Sequence, residues 1–326
     1  MSNAPTLFDP VQLGAIACPN RILMAPLTRC RAETGHLPGA LMAQYYSQRA
    51  SAGLIVAERD LEYNVYRALA GQGLPIPGVY FLELDPKWLE RPFFIMDQCP
   101  GKPGSPFVPT DPYDGHGTAI GEQYWTILGQ LAAIDHRAVG LESLRNGNAR
   151  IGFWALELDR WESILDENEA LIEPAVRGAM RWLRRNPPPE PAKPSIVHGD
   201  YRSGNFLFTE DGTISAILDW EMCHVGDPLE DVAWGLDPFW PITRHYPIDA
   251  GLARWAAASG MAIDQAALEW WKLFTAIKAC AIWTTASAGF ASGKNREMTM
   301  ALSGIRAGHF HRDLILKMMR QRGAMG

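Results

Sequence analysis

One short run constrains this chain more than any other. His198-Gly199-Asp200-Tyr201-Arg202-Ser203-Gly204-Asn205 is followed by a stretch that ends Ile217-Leu218-Asp219-Trp220-Glu221. A carboxylate shortly before an amide, then a second carboxylate closing an apolar strand, is the donor set that phosphoryl transfer from a nucleotide requires. One carboxylate accepts or orients the proton of the attacking hydroxyl, while the amide oxygen and the second carboxylate hold Mg²⁺ on the phosphates. Asp200 is the candidate base, and Asn205 and Asp219 are the candidate metal ligands, because hard oxygen donors suit Mg²⁺. His198 is expected to brace the loop by hydrogen bonding. Arg202 is expected either to meet substrate or phosphate or to lie on the surface, and Glu221 either to reach a second metal or, preferably, to be solvated. Asp227 fits a helix cap, with Pro228 at the first helical position.

These motifs resemble the catalytic loop and metal strand of the aminoglycoside phosphotransferase family, small-molecule kinases distantly similar to protein kinases. The resemblance covers about residues 59–326. It implies an α+β, protein-kinase-like bilobal fold with a mostly helical C-lobe, ATP or GTP as phosphate donor, Mg²⁺ as cofactor and a small-molecule hydroxyl as acceptor. Asp227 and Asp231 match positions that the family uses to buttress the loop. Apolar residues at helical spacing from Leu61 to Leu69 match the helix whose glutamate, here Glu62, pairs with a phosphate-gripping lysine. Pro75–Phe81 and Arg91–Asp97 read as two strands joined by a turn at Asp85-Pro86-Lys87, the second leading into a hinge. There the backbone of Asp97 and Cys99 is placed to bond the adenine edge. The forms Arg202–Phe208 and Asp219-Trp220-Glu221 resemble the branch found beside acyl-CoA dehydrogenases, which brings a hydroxyacyl-CoA into the acceptor class.

The chain begins differently. Asn20–Arg29, Tyr45–Ala50 and Gly53–Glu58 read as a strand over Ile22–Ala25, a loop with Gly35 and Gly39, a helix from about Ala40 to Ser51 and a second strand, one βαβ unit. Residues 6–58 resemble the start of the Old Yellow Enzyme family of flavin-dependent ene-reductases, in which the stretch opens a (β/α)₈ barrel. Pro26 and Thr28 match positions that touch the flavin. One such unit cannot close a barrel, and its parallel strands are expected to keep unpaired edges. Pro26 and Thr28 are therefore vestigial contacts on this reading, and FMN is not an expected cofactor.

The junction is costly to a kinase. No lysine precedes Lys87 and no G-x-G-x-x-G occurs, so the resemblance implies an incomplete N-lobe. The expected organisation is a flavoenzyme-like fragment over 1–58, a partial N-lobe over 59–102 and a C-lobe over 103–326, as in a chimera. Phosphoryl transfer is expected to be impaired. The alternatives are a catalytically dead nucleotide- or metabolite-binding chimera and, third, an FMN-dependent oxidoreductase.

Helical periodicity runs over Thr118–His136, Leu156–Leu165 and Ile172–Arg185, with Pro187–Pro191 as a stiff connector and mostly helix after the catalytic strands. A formal net charge of −6 gives no basic footprint for nucleic acid. Cysteines 18, 30, 99, 223 and 280 are odd in number and lack C-x-x-C spacing, which fits a reducing cytoplasm rather than disulfides or zinc. No run reaches membrane-spanning length, so no membrane partner is expected. Twelve tryptophans call for an aromatic core. The histidines other than His198 show no ligand spacing, and His309 and His311 read as surface residues.

Overall fold

The computed structural model describes residues 11–13, 16–18, 23–24, 54–57, 60–84, 92–105, 110–145, 150–168, 173–293 and 298–323. The helix expected over 40–51, the turn at Asp85–Lys87 and the flavin-contact positions Pro26 and Thr28 lie outside the described residues.

The amino-terminal strands are β1 (Val11–Leu13), β2 (Ile16–Cys18), β3 (Leu23–Met24) and β4 (Leu54–Ala57). They are followed by α1 (Asp60–Leu69), β5 (Val79–Glu83), β6 (Phe93–Met96) and β7 (Lys102–Pro103). β1 and β2 pair antiparallel, a hairpin the periodicity did not signal. β3 and β4 pair parallel, in the register Leu23↔Leu54, as a βαβ unit requires. The expectation of open edges is corrected at β4. Its other side pairs antiparallel with β6 through Val56↔Ile95 and Ala57↔Phe94, giving one sheet in the order β3-β4-β6-β5. Backbone hydrogen bonds carry this union, and a ladder does not distinguish the family from which a strand comes.

Helix α1 lies against this sheet. Val65, Tyr66 and Leu69 on its inner face are buried, and the Tyr66 ring meets Phe94 of β6 at 5.8 Å between centroids. The loop after α1 touches the second lobe where Ile217 N–H donates to Pro75 O at 2.9 Å.

The C-lobe contains α2 (Gly117–Ala133), α3 (Phe153–Asn168), α4 (Pro174–Arg185), β8 (Ser195–Val197), β9 (Phe206–Phe208), β10 (Ile214–Ile217), β11 (His224–Gly226), α5 (Leu229–Gly235), α6 (Ile242–His245), α7 (Ile248–Ser259), α8 (Gln265–Ala291) and α9 (Met298–Gln321). The long central helix is α8, started by the Asp264 carboxylate, which accepts from Ala266 N and Ala267 N at 2.8 and 3.1 Å. It packs against α9, α5, α3 and α4. By length and apolarity α8 could cross a membrane, but 78% of its most apolar window is buried among these helices, so its apolar residues are spent on the core. Trp125, Trp161, Trp220, Trp234, Trp240, Trp255 and Trp271 are all fully buried, which accounts for most of the tryptophans as core.

Close approach needs small residues. Where α2 crosses α7, a Cβ on Gly129 would stand 2.7 Å from Ala258 Cβ and from Trp255 O. The Pro187–Pro191 connector has a second use: Glu190 Oε2 accepts from Phe153 N–H, the first amide of α3, at 3.2 Å. Two small ladders place the polar motifs. β11 pairs with β8 (His224↔Val197), while β9 lies between β10 and β7. The segment 198–205 therefore leaves one ladder and enters the other, and Asp219 follows directly at the end of β10.

Candidate active site

The loop from His198 to Asn205 is held from below by α5 and α8. Asp231 on α5 accepts from His198 N–H at 2.6 Å and Gly199 N–H at 2.9 Å. Gly199 adopts φ +83°, and a Cβ there would lie 2.5 Å from Met222 O, so this turn requires glycine. Lys278 on α8 donates to Gly199 O. Tyr124 and Tyr201 exchange hydrogen bonds, each hydroxyl donating to the other's backbone carbonyl at 2.7 and 3.0 Å.

His198 is fully buried. Its Nε2–H donates to Leu218 O at 3.0 Å, its Nδ1 accepts from Asp200 N–H at 3.2 Å, and its ring lies 4.4 Å from that of Trp220. Burial, helped by the charges of Lys278 and Arg202, pushes the imidazole down to about 3. A neutral ring with one donor and one acceptor ties the catalytic loop to the end of β10.

Asp200 is 2% exposed. Its Oδ1 accepts from Arg202 Nε and Trp234 Nε1, each at 2.9 Å, and its Oδ2 from Asn205 Nδ2 at 2.7 Å. A carboxylate offers about four acceptor positions, so three donors fix its plane and leave room for a substrate hydroxyl. Arg202 is not on the surface. It is buried, donates also to Ser203 O at 3.0 Å, and lies 5.0 Å over the Trp240 ring.

Asn205 Nδ2 is spent on Asp200, on both its backbone O (2.9 Å) and its Oδ2. That orients the amide and leaves Oδ1 buried with no hydrogen-bond partner among the described residues. Such an oxygen is costly unless something fills its coordination, and a hard cation would. Asp219 is half-buried at φ +71°, in the left-handed region that a non-glycine residue seldom occupies. Its N–H donates to Tyr66 Oη at 3.2 Å, so α1 reaches across to the end of β10. Glu62, one turn earlier on α1, is buried. The Tyr66 hydroxyl is raised well above its ordinary value by burial and by the charges of Glu62 and Asp219. Glu221 is likewise buried and not solvated.

At the hinge, Asp97 is already engaged. Its N–H donates to Gly78 O at 2.8 Å, and its carboxylate accepts from Gly78 N–H at 2.8 Å and from the Tyr80 hydroxyl. Its amide is therefore not available to an adenine. Cys99 is half-buried, and burial pushes its thiol up to about 11.

A phosphotransferase enzyme family model matches residues 37–271. The chain belongs to that family. A model of the NADH:flavin oxidoreductase / NADH oxidase family also matches residues 6–62, and the two matches overlap over 37–62. The chain is 28% identical to acyl-CoA dehydrogenase family member 10 of Mus musculus over 197 residues, which is 59% of this chain and 18% of that protein. It thus spans about a fifth of the length of that relative. Among solved structures, an aminoglycoside phosphotransferase assignment from Ralstonia eutropha superposes with a TM-score of 0.66 at 21% identity, covering 80% of this chain and 83% of that one. A thermostable mutant of the aminoglycoside phosphotransferase APH(4)-Ia, in ternary complex with AMP-PNP and hygromycin B, gives 0.51 at 18% identity, covering 81% and 85%. These likenesses show the kinase-like α+β fold.

The chain also contains a polar cluster that no sequence spacing announced. Glu157 on α3, His224 on β11, and Glu230 on α5 bring ligand-type atoms within 4.8 Å of one another, all buried. His224 Nε2 lies 3.2 Å from Glu230 Oε2 and 3.7 Å from Glu157 Oε1, while its Nδ1–H donates to Met222 O at 3.0 Å. Lys278 donates to Glu230 Oε1 at 2.7 Å. Burial opposes the charge on His224, but the two carboxylates prevail and hold it up to about 9. Burial likewise opposes the charge on Glu230, which Lys278 and His224 hold down to about 2. Two carboxylates facing an imidazolium and an ammonium balance without a metal ion. Asp227 accepts from Leu229 N–H and Trp271 Nε1, both at 2.9 Å, and so closes the start of α5. His311, expected on the surface, is fully buried beside Phe239, Trp283 and Phe310, whereas the His309 side chain is 73% exposed.

Proposed function

We propose that this phosphotransferase moves the terminal phosphate of ATP or GTP to a hydroxyl of a small molecule, with Asp200 as the base and Asn205 and Asp219 as the metal ligands. The observation that carries the reading is the convergence on one loop of an oriented carboxylate and a buried, partnerless amide oxygen, beside Asp219. When bound, Mg²⁺ would neutralise charge on the phosphates from Asn205 Oδ1 and Asp219. Asp200 orients the acceptor hydroxyl and takes its proton, with His198 and Arg202 keeping its carboxylate in place. Glu62, the Asp97 carbonyl and Cys99 N–H face the nucleotide.

Similarity to a protein named as an acyl-CoA dehydrogenase family member supports a hydroxyacyl-CoA as the acceptor class, ahead of an antibiotic. The functional division we infer is 1–58, 59–102 and 103–326, with the chemistry in the last. Between residue 37, where the family match begins, and Lys87 there is no lysine to grip the phosphates, and turnover is expected to be slow. The protein acts in the cytoplasm, with neither nucleic acid nor membrane as partner.

Thermal melting tests the site. Saturating Mg-ATP or Mg-GTP near 100 Kd should stabilise the protein by about 2.7 kcal/mol, and nucleotide with chelator should not. Asn205→Ala should erase the magnesium-dependent part. No shift at millimolar Mg-nucleotide in a folded protein would favour the second reading, a catalytically dead member, for which the missing lysine is the supporting observation. A flavin absorbance band at one per chain would instead revive an FMN-dependent role for residues 6–58.

A further inference from the structure

The peptide plane between Gly199 and Asp200 is pinned at both ends. Its carbonyl accepts from Lys278, and its N–H donates to His198 Nδ1. A peptide is planar, so fixing the oxygen and the hydrogen fixes the direction in which the chain enters the Cα of Asp200. His198 lies within the motif. Lys278 does not: it comes from the middle of α8 and is 1% exposed.

Burying an ammonium is costly unless all three donors are used. Lys278 Nζ bonds Gly199 O and Glu230 Oε1, and it lies 5.3 Å from the Trp234 ring and 5.4 Å from the Trp161 ring. Trp234 also donates its indole N–H to Asp200 Oδ1, so one ring stands between the ammonium and the carboxylate it helps to aim. Glu230 in turn faces His224, which faces Glu157. The chain of charges runs from α3 through β11 and α5 to α8 and ends on the loop that carries Asp200.

We infer that Lys278 is a positioning residue for Asp200, acting through its bond to the Gly199 carbonyl. This rests on the proposed role of Asp200, but its test needs neither substrate nor nucleotide.

Hydrogen–deuterium exchange over the segment 198–205 is the readout, beside the melting temperature of each full-length variant. Lys278→Met should both lower the melting temperature and raise loop exchange by about tenfold or more, about 1.4 kcal/mol in opening free energy. Lys278→Met with Glu230→Gln removes both charges and leaves Glu157 paired with His224. It should recover most of the melting temperature, yet keep the fast loop exchange, because Gly199 O still lacks its donor. Glu230→Gln alone keeps the Lys278 bond to Gly199 and should hold loop exchange within about twofold of the parent. If the double variant regains the parent's loop protection together with its stability, Lys278 is only a counter-ion to Glu230 and the inference fails. Should the Lys278 variants not fold, loosening of the loop in Glu230→Gln to the tenfold level sinks it equally. Absent nucleotide binding with the expected exchange pattern would count against the proposed function and leave the positioning intact.

Discussion

His224 offers a prediction whose sign and size both follow from its surroundings. In the fold, Glu157 and Glu230 hold its imidazole up to about 9 against burial, whereas an unfolded chain leaves it near its ordinary 6.5. A gap of about 2.5 units (9 − 6.5) corresponds to about 3 kcal/mol. Because the folded-state value is the higher, the folded protein keeps a proton that the unfolded chain releases. The stabilisation is therefore complete below pH 6.5 and is lost as the pH rises through 9. His224→Gln keeps a polar group of similar reach and cannot titrate. Urea unfolding of the parent and the variant, at half-unit steps between pH 6 and pH 10, gives a difference in which groups common to both largely cancel. The parent's advantage should be largest at pH 6 and should shrink by about 3 kcal/mol by pH 10. An advantage that stays level, or that grows with pH, refutes the imidazolium and with it the balanced cluster.

Three further expectations concern the loop. Gly199→Ala forces a side chain onto Met222 O at φ +83° and should lower stability by about 2–3 kcal/mol in thermal melting; an unchanged melting temperature would mean that the loop takes another path. Trp234→Phe keeps the ring beside Lys278 and removes one donor to Asp200, for a loss of about 1 kcal/mol, and a larger loss would point to packing instead of the hydrogen bond. Replacing residues 1–58 with the front lobe of an intact relative should raise phosphoryl transfer by about 10² or more, and Asp200→Asn should abolish the gain; equal turnover with and without the replacement would show that the phosphates are already gripped.

What could be read in the sequence was local. The 198–205 loop and the strand before Asp219 are nearly contiguous, and each element between His198 and Glu221 is only a few residues long, so spacing alone places Asp200 beside Asn205. α1, α2, α3 and α4 follow from apolar periodicity because each presents one face to the core. Arg202 could not be placed by the same means. Its burial depends on Trp240, which approaches from beyond the end of α5. Glu157, His224, Glu230 and Lys278 come from four elements far apart in the chain, and no residue among them is unusual for its own element. Their only local signal is polarity within apolar surroundings, with Lys278 between Ile277 and Ala279 in the heart of α8. The pairing of β4 with β6 is similarly hidden, because it is made by backbone groups that every strand has.

That pairing makes the front sheet depend on a strand that both family matches cover. A cut after residue 58, made to discard the flavoenzyme-like stretch, would take β4 with it and bare the side of β6 that Val56 and Ala57 now cover. A strand with the sequence Phe93-Phe94-Ile95-Met96 and an empty edge is a template for another chain. Trimmed protein should therefore gather into aggregates through its front sheet, and a cut made before residue 54 keeps β6 covered but bares the edge of β4 that Leu23 and Met24 pair. The ends of the two family matches are thus not the ends of the sheet.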